Sequence, residues 1–129
     1  MTKLPTKSEI DAAAEIVYAT MPPTAQYVWP LLAEAVGTTV WVKHENHTPI
    51  GAFKVRGGLV YMANLRANKP DVRGVIAATR GNHGQSIGFA ARASGIDDVI
   101  VVPEGNSREK NAAMEALGVE LITHGHDFQ

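Results

Sequence analysis

The sequence contains no cysteine, so disulfides, cysteine-ligated zinc and thiol nucleophiles are excluded. It also lacks an excess of positive charge, because 12 lysines and arginines stand against 13 aspartates and glutamates. Nucleic acid and anionic membrane surfaces are therefore not expected partners. No apolar run has the length of a signal-peptide core or of a membrane-spanning helix, so a cytoplasmic protein is the expectation.

The rest of the composition is typical of a globular protein, with 45% hydrophobic and 19% charged residues among 129. From residue 54 onward, segments with helical apolar spacing alternate with short, continuous apolar runs. The predicted elements are a helix at 54–68, a strand at 74–78, a helix at 82–94, a strand at 99–102, a helix at 107–117 and a strand at 119–123. This order predicts an α/β fold of βαβ units with a parallel sheet, whose strands are covered on both faces.

The first part of the chain predicts two shorter apolar segments and a strand. A helix is expected from Ser8, as its N-cap, to Tyr18, before a Pro-Pro pair ends it. A second apolar segment runs over 27–36 and closes at Gly37, and residues 38–42 read as a strand. The two tryptophans, Trp29 and Trp41, are predicted to lie in the core.

The turn at residues 79–85, Thr-Arg-Gly-Asn-His-Gly-Gln, follows the predicted strand at 74–78. Ligands of parallel sheets bind beyond the carboxyl ends of the strands, and N–H groups at a helix start attract carboxylate or phosphate. Gly81 is expected to give the turn its backbone freedom, and Asn82 offers both a donor and an acceptor. A tight turn in which glycine and asparagine serve geometry alone is the alternative. Small residues on one helix face predict close packing on the sheet: Gly84, Gly88, Ala91 and Gly95.

Lys54 is the candidate nucleophile. It follows Phe53 at the start of a predicted helix, where the helix dipole and an apolar setting both disfavour the ammonium form. A free amine is the form that Schiff-base chemistry requires. A solvated helix start is the alternative, and Arg56 has two interpretations as well. It either orients the lysine segment or lies on a solvated helix face, and the second is slightly favoured.

These residues carry a resemblance that covers nearly the whole chain. Residues 43–58 resemble the cofactor-lysine segment of fold-type II pyridoxal-phosphate enzymes, and within them the threonine and serine dehydratases. The run Gly-Asn-His-Gly-Gln at 81–85 is similar to the second signature of that family. Residues 101–104 and 117–121, with a His-Gly pair at 124–125, match in the same order.

The resemblance implies a role for each matching residue. Lys54 would hold pyridoxal phosphate through a Schiff base and remove the substrate α-proton, with Phe53 beside the cofactor ring and Asn82 bonded to its phenolic oxygen. The substrate carboxylate would be bound by the turn residues Thr79, Arg80, Gly81, Asn82 and His83. The implied reaction is α,β-elimination from L-threonine or L-serine to a 2-oxo acid and ammonia, in a homo-oligomer.

Two residues depart from the family pattern. Thr79 replaces a serine and keeps the hydroxyl. Arg80 stands where members of the family that racemise use a serine as the proton donor on the second face. Racemisation by that route is therefore not expected. A guanidinium at this position favours an acidic substrate such as 3-hydroxyaspartate, whose carboxylate it would bind.

Length is the largest departure, because family members are more than twice as long. Residues 1–45 are expected to belong to the larger domain of the family, and residues 46–129 to an incomplete smaller α/β domain. The glycine-rich phosphate loop and the residue facing the pyridine nitrogen would lie downstream, so this N-terminal fragment is expected to be inactive alone.

Two functions of other classes remain open: a non-catalytic α/β module that binds an anion at the turn after residue 78, and an interaction fragment. The histidine pairs at 44 and 47 and at 124 and 126 have spacings that bind metal. No carboxylate cluster completes either pair, so no metal site is predicted.

Overall fold

The computed structural model describes residues 4–127, which form helices and strands in mixed α/β order. The elements are α1 (Lys7–Tyr18), β1 (Gln26–Val28), α2 (Pro30–Val36), β2 (Trp41–Lys43), a 3₁₀ turn (Glu45–His47), α3 (Lys54–Asn68), β3 (Gly74–Ala78), α4 (Asn82–Ser94), β4 (Asp97–Val102), α5 (Arg108–Ala116) and β5 (Glu120–Thr123). Across these residues, no helix combines the length and the apolar character needed to cross a membrane.

Two separate sheets are present. Strands β1 and β2 pair antiparallel, whereas β3, β4 and β5 form a parallel sheet in that order. Strand β4 pairs with β3 on one side and with β5 on the other, with Ile100 opposite Ala77 and Leu121. The predicted α/β class with a parallel sheet is confirmed, as are the bounds of α3, β3 and α4.

The N-terminal elements differ from the prediction in two places. The N-cap of α1 is Thr6, not Ser8: the Thr6 hydroxyl accepts from the N–H of Glu9, whose carboxylate accepts from the N–H of Thr6 at 2.6 Å. This reciprocal pair satisfies two donors that a cap at Ser8 would leave unpaired. The segment at 27–36 is divided into β1 and α2, because Pro30 starts the helix, and Gly37 closes it in the left-handed conformation as predicted.

The two tryptophans are not in the core. Trp29 is 47% exposed and Trp41 63% exposed, since no other element of the described chain covers the small β1–β2 sheet. The hydrophobic core lies instead among α1, α3, α4, β4 and α5. Its fully buried side chains include Val55, Met62, Ile100, Val102 and Met114.

The parallel sheet is covered on one face within the described chain. Val75 and Ala77 of β3 pack against the core, whereas Ile76, which points to the opposite face, is 71% exposed. The prediction that the strands are covered on both faces is therefore wrong for β3. The apolar residues of β3 therefore lie on two different faces. One face packs on helices, and the other is not covered by any of residues 4–127.

Helix α4 packs closely on its neighbours through two of the predicted glycines. A Cβ at Gly84 would overlap the side chains of Met114 and Thr79, and one at Gly88 would overlap Val119. Gly95 has another role, because it ends the helix in the left-handed conformation with φ 61°. The close-packing prediction is confirmed for Gly84 and Gly88 and is wrong for Gly95.

Candidate active site at the starts of two helices

Lys54 is the first residue of α3 and follows a tightly bonded loop. The hydroxyl of Thr48 donates to the carbonyl of Ala52 and accepts from the N–H of Ala52, both at 2.9 Å. Gly51 permits this turn with φ 64°. Thr48 is buried, so the segment that leads into the lysine is fixed by internal bonds.

The Lys54 side chain is exposed, and its Nζ lies 5.9 Å from the centroid of the Phe53 ring. Phe53 is itself 63% exposed. No carboxylate within residues 4–127 forms an ion pair with this amine. Within residues 4–127 the Lys54 side chain therefore lies exposed beside an aromatic ring and is not buried, as the predicted desolvation would require.

Arg56, two residues further, is not on a solvated face. Its Nε and Nη2 donate to the two carboxylate oxygens of Glu45 at 2.7 and 2.9 Å, and the Thr24 hydroxyl donates to Glu45 at 2.6 Å. The side chains of Arg56 and Glu45 are only 24% and 22% exposed. Hydrogen bonding by Arg56 lowers the pKa of Glu45 to about 2. The slightly favoured interpretation of Arg56 is wrong, and the structure supports the alternative that Arg56 orients the lysine segment.

The turn at residues 79–83 joins β3 to the start of α4. Thr79 is buried, and its hydroxyl accepts from the N–H of Gly81 at 3.3 Å. Gly81 has φ 173°, an extended value, so left-handed backbone freedom is not the reason for glycine here; a Cβ would instead meet the Lys110 side chain. No side chain caps α4, which leaves the N–H groups that begin at Asn82 directed at the turn.

Arg80 projects from this turn toward the last described residues. Its Nη2 lies 3.1 Å from Oδ1 of Asp127 and 3.5 Å from the carbonyl oxygen of His126. Both side chains of the ion pair are largely exposed. The sequence predicted that the Arg80 guanidinium binds a substrate carboxylate. In the structure it is paired with the carboxylate of Asp127.

A cleft of about 620 Å³ brings parts of both segments together. Phe53 and Lys54 line it at the start of α3, His83 lines it from α4, and Ile76 from β3. The volume lies in the range of small-molecule and cofactor sites. Of the predicted site residues, the cleft lining includes these two from the lysine segment and His83, but not the remaining turn residues: Thr79, Arg80, Gly81 and Asn82.

The histidine pairs have other partners. The rings of His44 and His47 stack with centroids 5.5 Å apart, and the indole N–H of Trp29 donates to His44 at 3.3 Å. His126 lies 3.3 Å from a Glu104 carboxylate oxygen. Within residues 4–127 there is no group of three potential metal ligands.

Sequence reasoning missed Ser86, which joins the two segments. Its hydroxyl donates to the backbone carbonyl of Lys54 at 2.6 Å, and the side chain is 1% exposed. The sequence does contain a matching spacing. Ser86 follows Asn82 by four residues, or about one helical turn, and Gly58 follows Lys54 by the same number.

Three comparisons with known proteins agree with this geometry. The family model described as "Pyridoxal-phosphate dependent enzyme" matches residues 21–129. The biosynthetic L-threonine dehydratase of Haemophilus influenzae is 34% identical over 97 residues, which are 75% of this chain and 19% of that protein. The chain thus spans about a fifth of the length of that relative.

Solved structures match over nearly all of the chain. A pyridoxal 5'-phosphate-dependent aspartate racemase superposes with a TM-score of 0.88 at 27% identity, covering 97% of this chain and 40% of the other. Threonine deaminase isoform 2 from Solanum lycopersicum superposes with a TM-score of 0.77 at 25% identity, covering 96% and 37%. The arrangement of α3, α4 and the parallel sheet is therefore shared with enzymes of this cofactor class.

Proposed function

Since the chain belongs to the family of pyridoxal-phosphate-dependent enzymes, we propose that it is the lysine-bearing part of a threonine/serine dehydratase. The reaction would be an α,β-elimination from a β-hydroxy amino acid that yields a 2-oxo acid and ammonia. The observation that carries the proposal is the position of Lys54 and His83, which lie in the first turns of two packed helices and line one cleft.

The groups present fit the cofactor. Lys54 supplies a primary amine without an ion pair in the described chain, Phe53 an aromatic face, and the start of α4 a set of N–H donors without a side-chain cap. When bound, pyridoxal phosphate supplies the electron sink that makes the substrate α-carbon acidic. The backbone that carries the amine and the turn belongs to the starts of α3 and α4, which pack on each other through Gly58 and Ser86.

In the proposed reaction the lysine, the aromatic residue beside it and the turn have separate roles. Lys54 would hold pyridoxal phosphate through Nζ, and the same amine would take the substrate α-proton. Phe53 would lie beside the cofactor ring, and the Asn82 amide would hydrogen-bond its phenolic oxygen. The substrate carboxylate is bound at the turn by Thr79, Arg80, Gly81, Asn82 and His83, where the N–H groups at the α4 start favour negative charge.

Arg80 bears on the choice of reaction and substrate. A guanidinium remains protonated in proteins, so Arg80 cannot exchange a proton with the substrate, and we propose elimination rather than racemisation. It can bind a second carboxylate, which makes 3-hydroxyaspartate a candidate beside L-threonine and L-serine. The complete protein is proposed to be a cytoplasmic homo-oligomer in which residues 1–45 join the larger domain and 46–129 the smaller one.

Borohydride trapping tests the proposal on the full-length protein. The Lys54 amine and the aldehyde of pyridoxal phosphate form a C=N bond with loss of water, and borohydride reduces that bond to a stable secondary amine. We expect mass spectrometry to find the adduct on Lys54 and to find it lost in Lys54→Ala. Lys69→Ala is the matched control, because Lys69 is an exposed lysine just after the same helix. Equal labelling of many lysines would contradict the assignment.

A further inference from the structure

Helices α3 and α4 cross one turn from their starts, at a contact formed by Gly58 and Ser86. A Cβ at Gly58 would overlap the hydroxyl and the carbonyl of Ser86, so only glycine permits the backbones to approach this closely. The hydroxyl of Ser86 donates across the crossing to the Lys54 carbonyl at 2.6 Å. This bond connects residues that are 32 positions apart.

The contact between Gly58 and Ser86 lies at the same distance along its helix from Lys54 as from Asn82. Lys54 precedes Gly58 by four residues in α3, and Asn82 precedes Ser86 by four residues in α4. Residues four apart lie on the same helix face, one turn or about 6 Å along the axis. The lysine and the asparagine therefore each lie one turn from the same contact, toward the N-terminal ends of their helices.

The hydrogen bond of Ser86 is not needed to satisfy a buried group in the Lys54 segment. A carbonyl oxygen has two acceptor positions, and helix geometry gives the Lys54 carbonyl the N–H of Gly58 as its partner within α3. The serine hydroxyl is the donor that could equally bond a carbonyl of its own helix, as mid-helix serines do. Here the Ser86 hydroxyl donates instead to the neighbouring helix, to the backbone carbonyl of Lys54.

We infer that Ser86 is a positioning residue that fixes Lys54 relative to Asn82 and the substrate turn. The inference rests on the proposed function, because it concerns the reactivity of the Lys54 amine toward pyridoxal phosphate. Ser86 is among the residues that line the cleft, but its hydroxyl is bonded to the Lys54 carbonyl. It acts through the backbone of Lys54, which it holds against α4.

The test compares Ser86→Ala with the wild-type full-length protein by the rate of borohydride-trapped adduct formation at Lys54. We expect the rate to fall roughly three- to tenfold, because the substitution removes one buried hydrogen bond but leaves the close Gly58 contact in place. Other lysines in the same sample serve as an internal reference. Their background labelling should not change, and the melting temperature should fall by only a few degrees.

Ser94→Ala is the matched control, since Ser94 is the last residue of α4 and its hydroxyl makes no hydrogen bond in the described chain. Its Lys54 adduct rate should equal that of the wild type. Equal rates in Ser86→Ala and wild type would overturn the inference and leave the proposed function standing, as would an equal loss in both serine variants. Absence of a Lys54 adduct in the wild type would overturn the proposed function, and the inference with it.

Discussion

At the residue scale, the guanidinium of Arg80, in the turn after β3, is paired with the carboxylate of Asp127. The ion pair with Asp127 at 3.1 Å is largely exposed on both sides. Exposed pairs contribute at most about 1 kcal/mol, because water and salt screen them. A substrate carboxylate that is fixed by other contacts would therefore displace Asp127, and the proposed role of Arg80 is to favour substrates that carry a second negative charge.

Substitution of Arg80 tests this idea through substrate ranking. In the complete enzyme, Arg80→Ala should lower kcat/KM for 3-hydroxyaspartate relative to serine by about ten- to a hundredfold, because a charge-assisted hydrogen bond is lost. Asp127→Asn should shift the ranking the opposite way, since it removes the competing charge. Arg92→Ala, in the last turn of α4, is the control. An unchanged ranking of serine, threonine and 3-hydroxyaspartate in Arg80→Ala would refute the role.

At the scale of the element, α4 depends on small residues where it crosses its neighbours. Gly88 faces Val119 so closely that a Cβ would overlap the valine side chain, and Leu117 lies next to the same point. Glycine is otherwise unfavourable in a helix by about 1 kcal/mol relative to alanine. The close approach of α4 to β5 and its preceding turn is the reason that the helix keeps glycine at this position.

Gly88→Ala is accordingly expected to lower the free energy of unfolding by about 1–3 kcal/mol, although alanine favours helix. Gly57→Ala in α3 is the matched control, because no atom lies within 4 Å of the Cβ it would add. That control should be neutral or raise stability by up to about 1 kcal/mol. Urea denaturation of both variants measures the difference, and a stabilised Gly88→Ala would show that the packing is looser than described.

At the scale of the whole molecule, one polar cluster connects the N-terminal segment to the lysine helix. Thr24 and Glu45 lie before residue 46, whereas Arg56 lies in α3. Val17 and Met21, also from the N-terminal segment, belong to the same hydrophobic core as the side chains of α3. The start of the lysine helix is therefore braced from the segment predicted to belong to the larger domain, and that domain division stays a prediction.

The brace has a defined pH dependence. The pKa of Glu45 is about 2 in the folded protein and ordinarily 4.5, so its stabilisation is complete above about pH 4.5 and is lost as the pH falls toward 2. Glu45→Gln should lower the free energy of unfolding by about 1.5–3 kcal/mol at pH 6, and this difference should shrink as the pH falls from 4.5 to 2. Denaturation curves at several pH values measure it. Glu15→Gln, at an exposed position of α1, should show no such trend.

The sequence predicted most accurately the features that depend on residues close together in the chain, such as the ends of helices and strands. The bounds of α3, β3 and α4 follow from apolar spacing, from the proline after α3 and from the glycine that ends α4. The αL conformation of Gly37 and Gly95 likewise follows from helix ends. At α1, the sequence predicts the N-cap at Ser8 and the structure has it at Thr6. Both side chains carry a hydroxyl that can cap a helix, and only the reciprocal bonds with Glu9 distinguish them.

The α/β class, the lysine at a helix start and the turn that opens α4 were determined by the sequence alone, because each depends on residues close together in the chain. Tertiary structure decided which partners these residues have. The pairing of Arg56 with Glu45, the exposure of Trp29 and Trp41, and the bond from Ser86 to Lys54 all depend on how separate elements pack. No local pattern specifies such contacts, since the distance between two helices is set by every side chain at their crossing.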